Sequence, residues 1–162
     1  MRIGYGFCAA RTKEKDDHFI VLGGVKIDWR VGLQSQGECD RDVAALAAAD
    51  ALLGAMGLGS LNCCTEASFD TKNTPGVQVL EQAAQLMERR GFCLGNMDLL
   101  VVLQDVRFAN FLPQVKENLC RAMGCAPDCL NVKIENEQWL GYTGSTQGIN
   151  ARAVCLLQPK NT

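Results

Sequence analysis

A chain of 162 residues, 48% hydrophobic and 21% charged, has ordinary globular composition; this argues against intrinsic disorder and fits a single domain. A formal net charge of −2 and a pI near 5.4 offer no basic footprint for nucleic acid, and no apolar run approaches the ~20 residues that cross a bilayer. The opening Met1-Arg2-Ile3-Gly4-Tyr5-Gly6 lacks the charged-then-apolar layout of a secretory signal, so the expected address is the cytoplasm.

Residues 2–10, rich in small and β-compatible side chains, predict a first strand. Residues 19–27 hold two apolar runs meeting at Gly23-Gly24, the pattern of a hairpin. Residues 42–56 are Ala/Leu-rich and helical, with acidic residues at the start where they suit the helix dipole. Asp42, Leu46 and Asp50 recur every four residues there and so share one face. Residues 59–74 show no period and read as a long loop. Pro75 then opens a helix to Arg90, with Val77, Leu80, Ala84 and Met87 at core spacing and Gly91 beyond its end. A strand over 97–104, a helix over 113–123 striped by Val115, Leu119 and Met123, and strands over 131–134 and 151–157 complete the chain. Strands and helices mix without strict alternation, so the class is α+β, a mixed β-sheet packed with helices.

Nine cysteines are present: Cys8, Cys39, Cys63, Cys64, Cys93, Cys120, Cys125, Cys129 and Cys155. An odd count at irregular spacing does not describe a disulfide framework, and the thiols are expected to pack as small hydrophobes. Cys125 and Cys129 make one loose pair and Cys63-Cys64 are adjacent, which lacks the two spaced pairs of a zinc ribbon.

Several segments carry a resemblance. Arg2-Ile3-Gly4-Tyr5-Gly6-Phe7 is followed by Leu22-Gly23-Gly24-Val25-Lys26-Ile27, Asp42-Val43 and Asp50-Ala51-Leu52-Leu53-Gly54-Ala55. Leu94-Gly95-Asn96-Met97-Asp98, Asn131-Val132-Lys133, Leu140-Gly141-Tyr142-Thr143-Gly144 and Gly148-Ile149 come after them. In this order the chain resembles the 2-C-methyl-D-erythritol 2,4-cyclodiphosphate synthase family of the non-mevalonate isoprenoid pathway. The resemblance implies a homotrimer with clefts between neighbouring subunits. It also implies a cyclisation in which a 2-phosphate attacks the inner phosphate of a cytidine diphosphate ester and expels CMP. Both partners are anions, so that chemistry relies on metal ions to hold and neutralise them.

The same resemblance implies zinc held by an Asp-x-His on the first strand and a His on the first long helix. Those positions fall on Cys8 and Ala10, and on Leu46. The pair that touches substrate phosphate falls on Glu38 and Cys39. The turn whose last residue contacts magnesium falls on Glu135-Asn136-Glu137-Gln138, and the cytidine turn on Asp105-Val106-Arg107. A Phe-Pro-Asp-Thr-Asp loop has no counterpart between Cys63 and Asp70. In the trimer-axis pocket Phe7 and Tyr142 are joined by Ser145 and Gln147, where the family has Arg and Glu. Asp42, Asp50 and Lys133 are retained. No cofactor, and zinc least of all, is expected at these positions; magnesium or manganese held by Asp42, Asp50 and substrate phosphates is the alternative.

The expectation is a degenerate or repurposed member acting as a binding or regulatory trimer, with a small-molecule or protein ligand in the altered cleft. The alternative is an active synthase with a rearranged metal site. Asp42 has two readings: a helix cap, or an oxygen ligand beside Glu38 and Asp40. Asp50 reads as a structural hydrogen-bonding group. Cys8 and Cys39 would share the cleft, but the only histidine, His18, lies in a charged loop, so a thiol nucleophile lacks a base there. Glu135, Glu137 and Asp105 would make the cleft acidic if all point inward, and a solvated edge if not. Trp29, Trp139 and Tyr142 are expected to offer an aromatic contact surface.

Overall fold

The computed structural model describes residues 1–13, 19–29, 32–33, 40–104 and 106–160, with the backbone alone at 13, 32, 33, 106, 107 and 109. Its elements are β1 (Arg2–Lys13), β2 (Phe19–Leu22), β3 (Val25–Asp28), β4 (Gly32–Leu33), α1 (Val43–Met56) and α2 (Gly76–Arg89). Then follow β5 (Phe92–Val102), α3 (Leu112–Met123), β6 (Leu130–Glu135), α4 (Gly141–Gly144) and β7 (Gly148–Pro159). Short 3-10 helices occupy Val106–Phe111 and Pro127–Cys129.

One sheet of five strands runs β4-β1-β7-β5-β6, and β2 and β3 form a separate hairpin. β5 and β6 are parallel, joined by α3, whereas β7 pairs antiparallel with both β1 and β5. The mixed sheet expected of the sequence is therefore present. β5 starts at Phe92 rather than at residue 97, because the pairing with β7 absorbs a bulge between Leu94 and Asn96. Gly95 sits in that bulge, where a Cβ would come within 2.8 Å of the Gln158 amide.

α1 lies under the sheet and is buried on every side except at Asp50 and Gly54. Its alanines suit a very close approach. A Cβ on Gly4 would lie 2.0 Å from the Ala51 carbonyl oxygen, and one on Gly6 2.1 Å from that of Ala47. Strand and helix backbones thus touch with no side chain between them. α2 is amphipathic and covers α1 with Val79, Leu80, Ala83, Leu86 and Met87. α3 buries Val115, Leu119 and Met123 as its stripe predicts.

The β2–β3 hairpin turns at Gly23 (φ 54°) and Gly24 (φ 71°), a two-residue loop that needs positive φ at both positions. Asp42 fastens this turn to α1. One carboxylate oxygen accepts the Ala45 N–H at 3.1 Å as an N-cap, and the other accepts the Gly24 N–H at 2.8 Å. The Asn118 amide of α3 donates to the Gly23 carbonyl at 2.9 Å, so three elements meet at one turn. Asp42 is fully buried, and that burial pushes its pKa up to about 6 against the pull of the backbone donors.

Gly6→Ala is expected to cost about 3 kcal/mol in chemical denaturation, since it drives a methyl into backbone, while Ala9→Ser on the outer face of the same strand stays within about 0.5 kcal/mol. For Asp42 the native pKa lies above the ordinary 3.8, so the native state holds the proton more tightly than the unfolded chain. Its contribution is complete below pH 4 or so and is lost as pH rises through about 6. The unfolding free energy of the wild type should fall across that window by on the order of 3 kcal/mol relative to Asp42→Asn, which does not titrate. The variant should be the less stable overall, because an amide accepts only one of the two backbone N–H groups.

Candidate functional site

The Gly4 and Gly6 contacts set the register of β1 along α1. Gly4 meets Ala51 and Ala55, Gly6 meets Ala47 and Ala51, and so the next helix-facing residues, Cys8 and Ala10, run on toward the first turns of α1. Leu46 lies there. Ala10 and Leu46 are both buried in the core, with Cys8 half-buried against it. These are the three positions to which the resemblance assigns zinc. A methyl, an isobutyl group and one thiol supply a single donor, while zinc sites take at least three protein ligands. Among the described residues no three His, Cys, Asp or Glu side chains are placed to hold a metal ion. The described residues at these positions do not fit zinc.

The carboxylates nearby serve the backbone. Asp50 accepts the Leu61 N–H at 3.0 Å and the Phe7 N–H at 3.5 Å, tying β1 and the 57–75 loop to α1. Asp40 accepts the N–H groups of Asp42 at 3.2 Å and of Gly76 at 3.0 Å, which links the starts of α1 and α2. With Asp42 occupied as described, the capping reading of Asp42 and the structural reading of Asp50 are the ones the geometry shows. Glu38, Cys39, Asp105 and His18 lie outside the described residues, as does the side chain of Arg107.

Lys133 stands elsewhere, on the outer face of the sheet. Its ammonium pairs with Asp98 at 2.6 Å, and Asn131 donates to the other Asp98 oxygen at 2.7 Å. The Lys133 hydrogen bond, with that of Asn131, holds the Asp98 carboxyl below its ordinary range. The run from Glu135 to Gln138 does not form an inward acidic wall. Glu135 is exposed at the end of β6, Asn136 accepts from the Gln138 N–H and side-chain amide at 3.0 and 2.9 Å, and Glu137 accepts the Thr143 hydroxyl. Gln138 (φ 52°) and Trp139 (φ 66°) are both left-handed, a turn closed by the Trp139 N–H to Gln104 at 3.2 Å.

The aromatic surface is corrected in one member. Trp139 and Tyr142 are exposed, but Trp29 is buried edge-on against Phe108 with ring centroids 5.8 Å apart. Around the axis-pocket positions, the Ser145 hydroxyl and Gln147 N–H both donate to the Tyr142 carbonyl, at 3.3 and 2.9 Å. Phe7 stands on the outer face of β1, opposite Arg152 of β7. Asn150 went unnoticed in the sequence. It is buried, its amide donates to the Tyr142 hydroxyl at 2.7 Å, and its side-chain oxygen has no partner among the described residues. A lone Asn in the otherwise apolar start of β7 was the available signal.

The thiols are also less uniform than expected. Of the eight described, only Cys120 and Cys155 are buried; Cys63 is exposed and the rest are half-buried. Cys63 lines a cavity of about 310 Å³ in the loop, with Cys64, Phe69, Asp70 and Lys72. The Ser60 hydroxyl lies 3.1 Å from its sulfur and lowers its pKa.

Known proteins match this architecture along its whole length. The chain is 38% identical over 163 residues to the 2-C-methyl-D-erythritol 2,4-cyclodiphosphate synthase of Trichlorobacter lovleyi, covering 99% of this chain and 100% of that one. To the enzyme of the same name from Clostridium perfringens it is 34% identical, covering 97% and 99%. Among solved structures, the bifunctional IspDF of Campylobacter jejuni superposes with a TM-score of 0.86 at 27% identity, over 99% of this chain and 42% of that one. The Plasmodium falciparum IspF–CDP complex gives 0.80 at 28% identity, over 99% and 97%. The YgbB family model matches residues 1–158, and together with these relatives it places the chain in the YgbB family, whose curated relatives are named cyclodiphosphate synthases.

Proposed function

We propose that the chain acts as a CMP-releasing 2-C-methyl-D-erythritol 2,4-cyclodiphosphate synthase whose charge neutralisation is rearranged away from the family's zinc positions. The observation that supports this reading is likeness to enzymes of that name over essentially the whole chain, at up to 38% identity. A likeness at 28% identity to a complex with CDP agrees with a cytidine diphosphate ester as ligand. Magnesium or manganese is the cation class that suits such a site, because hard cations accept phosphate oxygens directly and need few protein ligands. In this reading Asp40, Asp42 and Asp50 shape the cleft by holding β1, the hairpin turn and the helix starts, since their oxygens already accept backbone N–H groups.

One observation favours a second reading. Ala10 and Leu46 present hydrocarbon, and Cys8 a single thiol, at the positions where the family resemblance puts zinc. A subunit of that kind would bind a small-molecule or protein ligand, or regulate a partner, without turnover.

Assembly as a homotrimer belongs to both readings and is supported by the outer sheet face. Ile3 (72% exposed), Tyr5 and Phe7 of β1 stand beside Val154 of β7, with Tyr5 directly opposite Val154. So much apolar surface on one face suits a subunit contact.

The deciding assay is CMP release from 4-diphosphocytidyl-2-C-methyl-D-erythritol 2-phosphate with zinc and magnesium supplied, beside an intact family enzyme. Release above background that chelation abolishes supports the synthase reading. Background release from folded protein, with CDP still bound in calorimetry, moves the conclusion to the binding subunit. Sedimentation at micromolar concentration should show three subunits; a monomer there would refute the trimer.

A further inference from the structure

The C-terminal end of α3 and the turn that follows it carry three thiols, Cys120, Cys125 and Cys129. Gly124 adopts φ 63°, its N–H bonds the Arg121 carbonyl at 3.2 Å, and the Cys125 N–H bonds the Cys120 carbonyl at 3.1 Å. This pair of bonds is a Schellman close, which sets the residue four before the glycine beside the residue after it. Here both are cysteines. The Cys120 thiol reaches over the cap toward the Ala126 carbonyl at 4.0 Å, and Cys129, at the end of the next turn, has its thiol 3.8 Å from an Asp128 carboxylate oxygen. Cys120 is buried while Cys125 is half-exposed, so one member of the pair is open to a reagent and the other waits behind it.

We propose that Cys120 and Cys125 form a reversible dithiol–disulfide pair that exchanges with low-molecular-weight disulfides, Cys125 reacting first and Cys120 closing the bond. A disulfide needs two Cβ atoms close and turned toward each other; the Cys125 N–H bond to the Cys120 carbonyl sets the two residues side by side, and the Cys120 thiol already reaches to Ala126, the next residue along. In the first step the Cys125 sulfur, having lost its proton, attacks one sulfur of the small disulfide. The S–S bond of the reagent breaks and one small thiol leaves with a proton. The Cys120 sulfur then loses its proton and attacks the Cys125 sulfur, expelling the second small thiol. Two protein thiols are oxidised to one disulfide, and one small disulfide is reduced to two thiols.

The site is slow by construction. Burial pushes Cys125 up to about 12 and raises Cys120 as well, so little thiolate exists near neutral pH. Lys116 on α3 favours the Cys120 thiolate, whereas Cys129 and Asp128 oppose it. Exposed Cys63, whose pKa is lowered, reacts with the same reagent independently and serves as an internal control for its activity.

The test is incubation of the reduced full chain with excess oxidised glutathione at pH 8, acid quenching, alkylation and peptide mapping without reduction. Trypsin cleaves after Arg121, which separates Cys120 from Cys125 while leaving Cys125 and Cys129 in one peptide. The expected product is the 117–121 peptide joined to the 122–133 peptide, with Cys129 alkylated. Cys120→Ser should trap glutathione on Cys125, and Cys129→Ser should leave the cross-link intact. The proposal is overturned by a dominant Cys125–Cys129 link, by glutathione persisting on wild-type Cys125, or by both thiols staying unmodified while Cys63 is glutathionylated. The wild-type map decides the matter even if Cys120→Ser fails to fold.

Discussion

At Gly4 and Gly6 the backbone of β1 rests on the backbone of α1, with the Ala47 and Ala51 carbonyls where side chains would otherwise be. That contact explains why α1 is built from alanine and leucine and why it is buried on nearly every side. It also fixes the level of each later residue of β1 against each turn of the helix. Cys8 and Ala10 reach the Leu46 end of α1 as a consequence of where the two glycines sit, whatever chemistry those positions carry. The scaffold and the reactive groups are thus separable: the first depends on side chains being absent at Gly4 and Gly6, the second on which side chains stand at Cys8, Ala10 and Leu46.

Three aspartates show the same separation from the other direction. Asp40, Asp42 and Asp50 each accept backbone N–H groups from the turns and strands around them. A buried carboxylate with two backbone donors is costly to replace for structural reasons alone. Their presence is therefore compatible with catalysis and with a purely binding subunit. The donor set at Cys8, Ala10 and Leu46 and the full-length likeness to named synthases pull in opposite directions, and turnover is the quantity that separates them.

Much of the fold was legible. Gly23-Gly24 marked a turn because only positive φ at both positions closes so short a hairpin, and the three long helices announced themselves by alanine content or apolar period. β5 was read too short because the bulge at Gly95 interrupts its alternation. Trp29 was placed on the surface because residue type does not reveal burial, and the hairpin region tucks it against Phe108. The candidate site positions rest on the resemblance alone, since Ala10 and Leu46 carry no chemical signal of their own. The Cys120–Cys125 contact was missed because a five-residue separation matches no helical neighbour; it arises where the helix stops and Gly124 turns the chain back.

The burial of Leu46 and Ala10 has a consequence for how such a site changes over generations. A single imidazole introduced at either position would arrive in what is, among the described residues, a hydrocarbon core, as a buried polar group in need of partners. Each ligand is tolerable only when the others and the ion are already present, so the three positions are strongly coupled and no single substitution along the route is neutral. Ordinary packing of Ala10 and Leu46 is thus itself a barrier to building a ligand set at this corner one residue at a time.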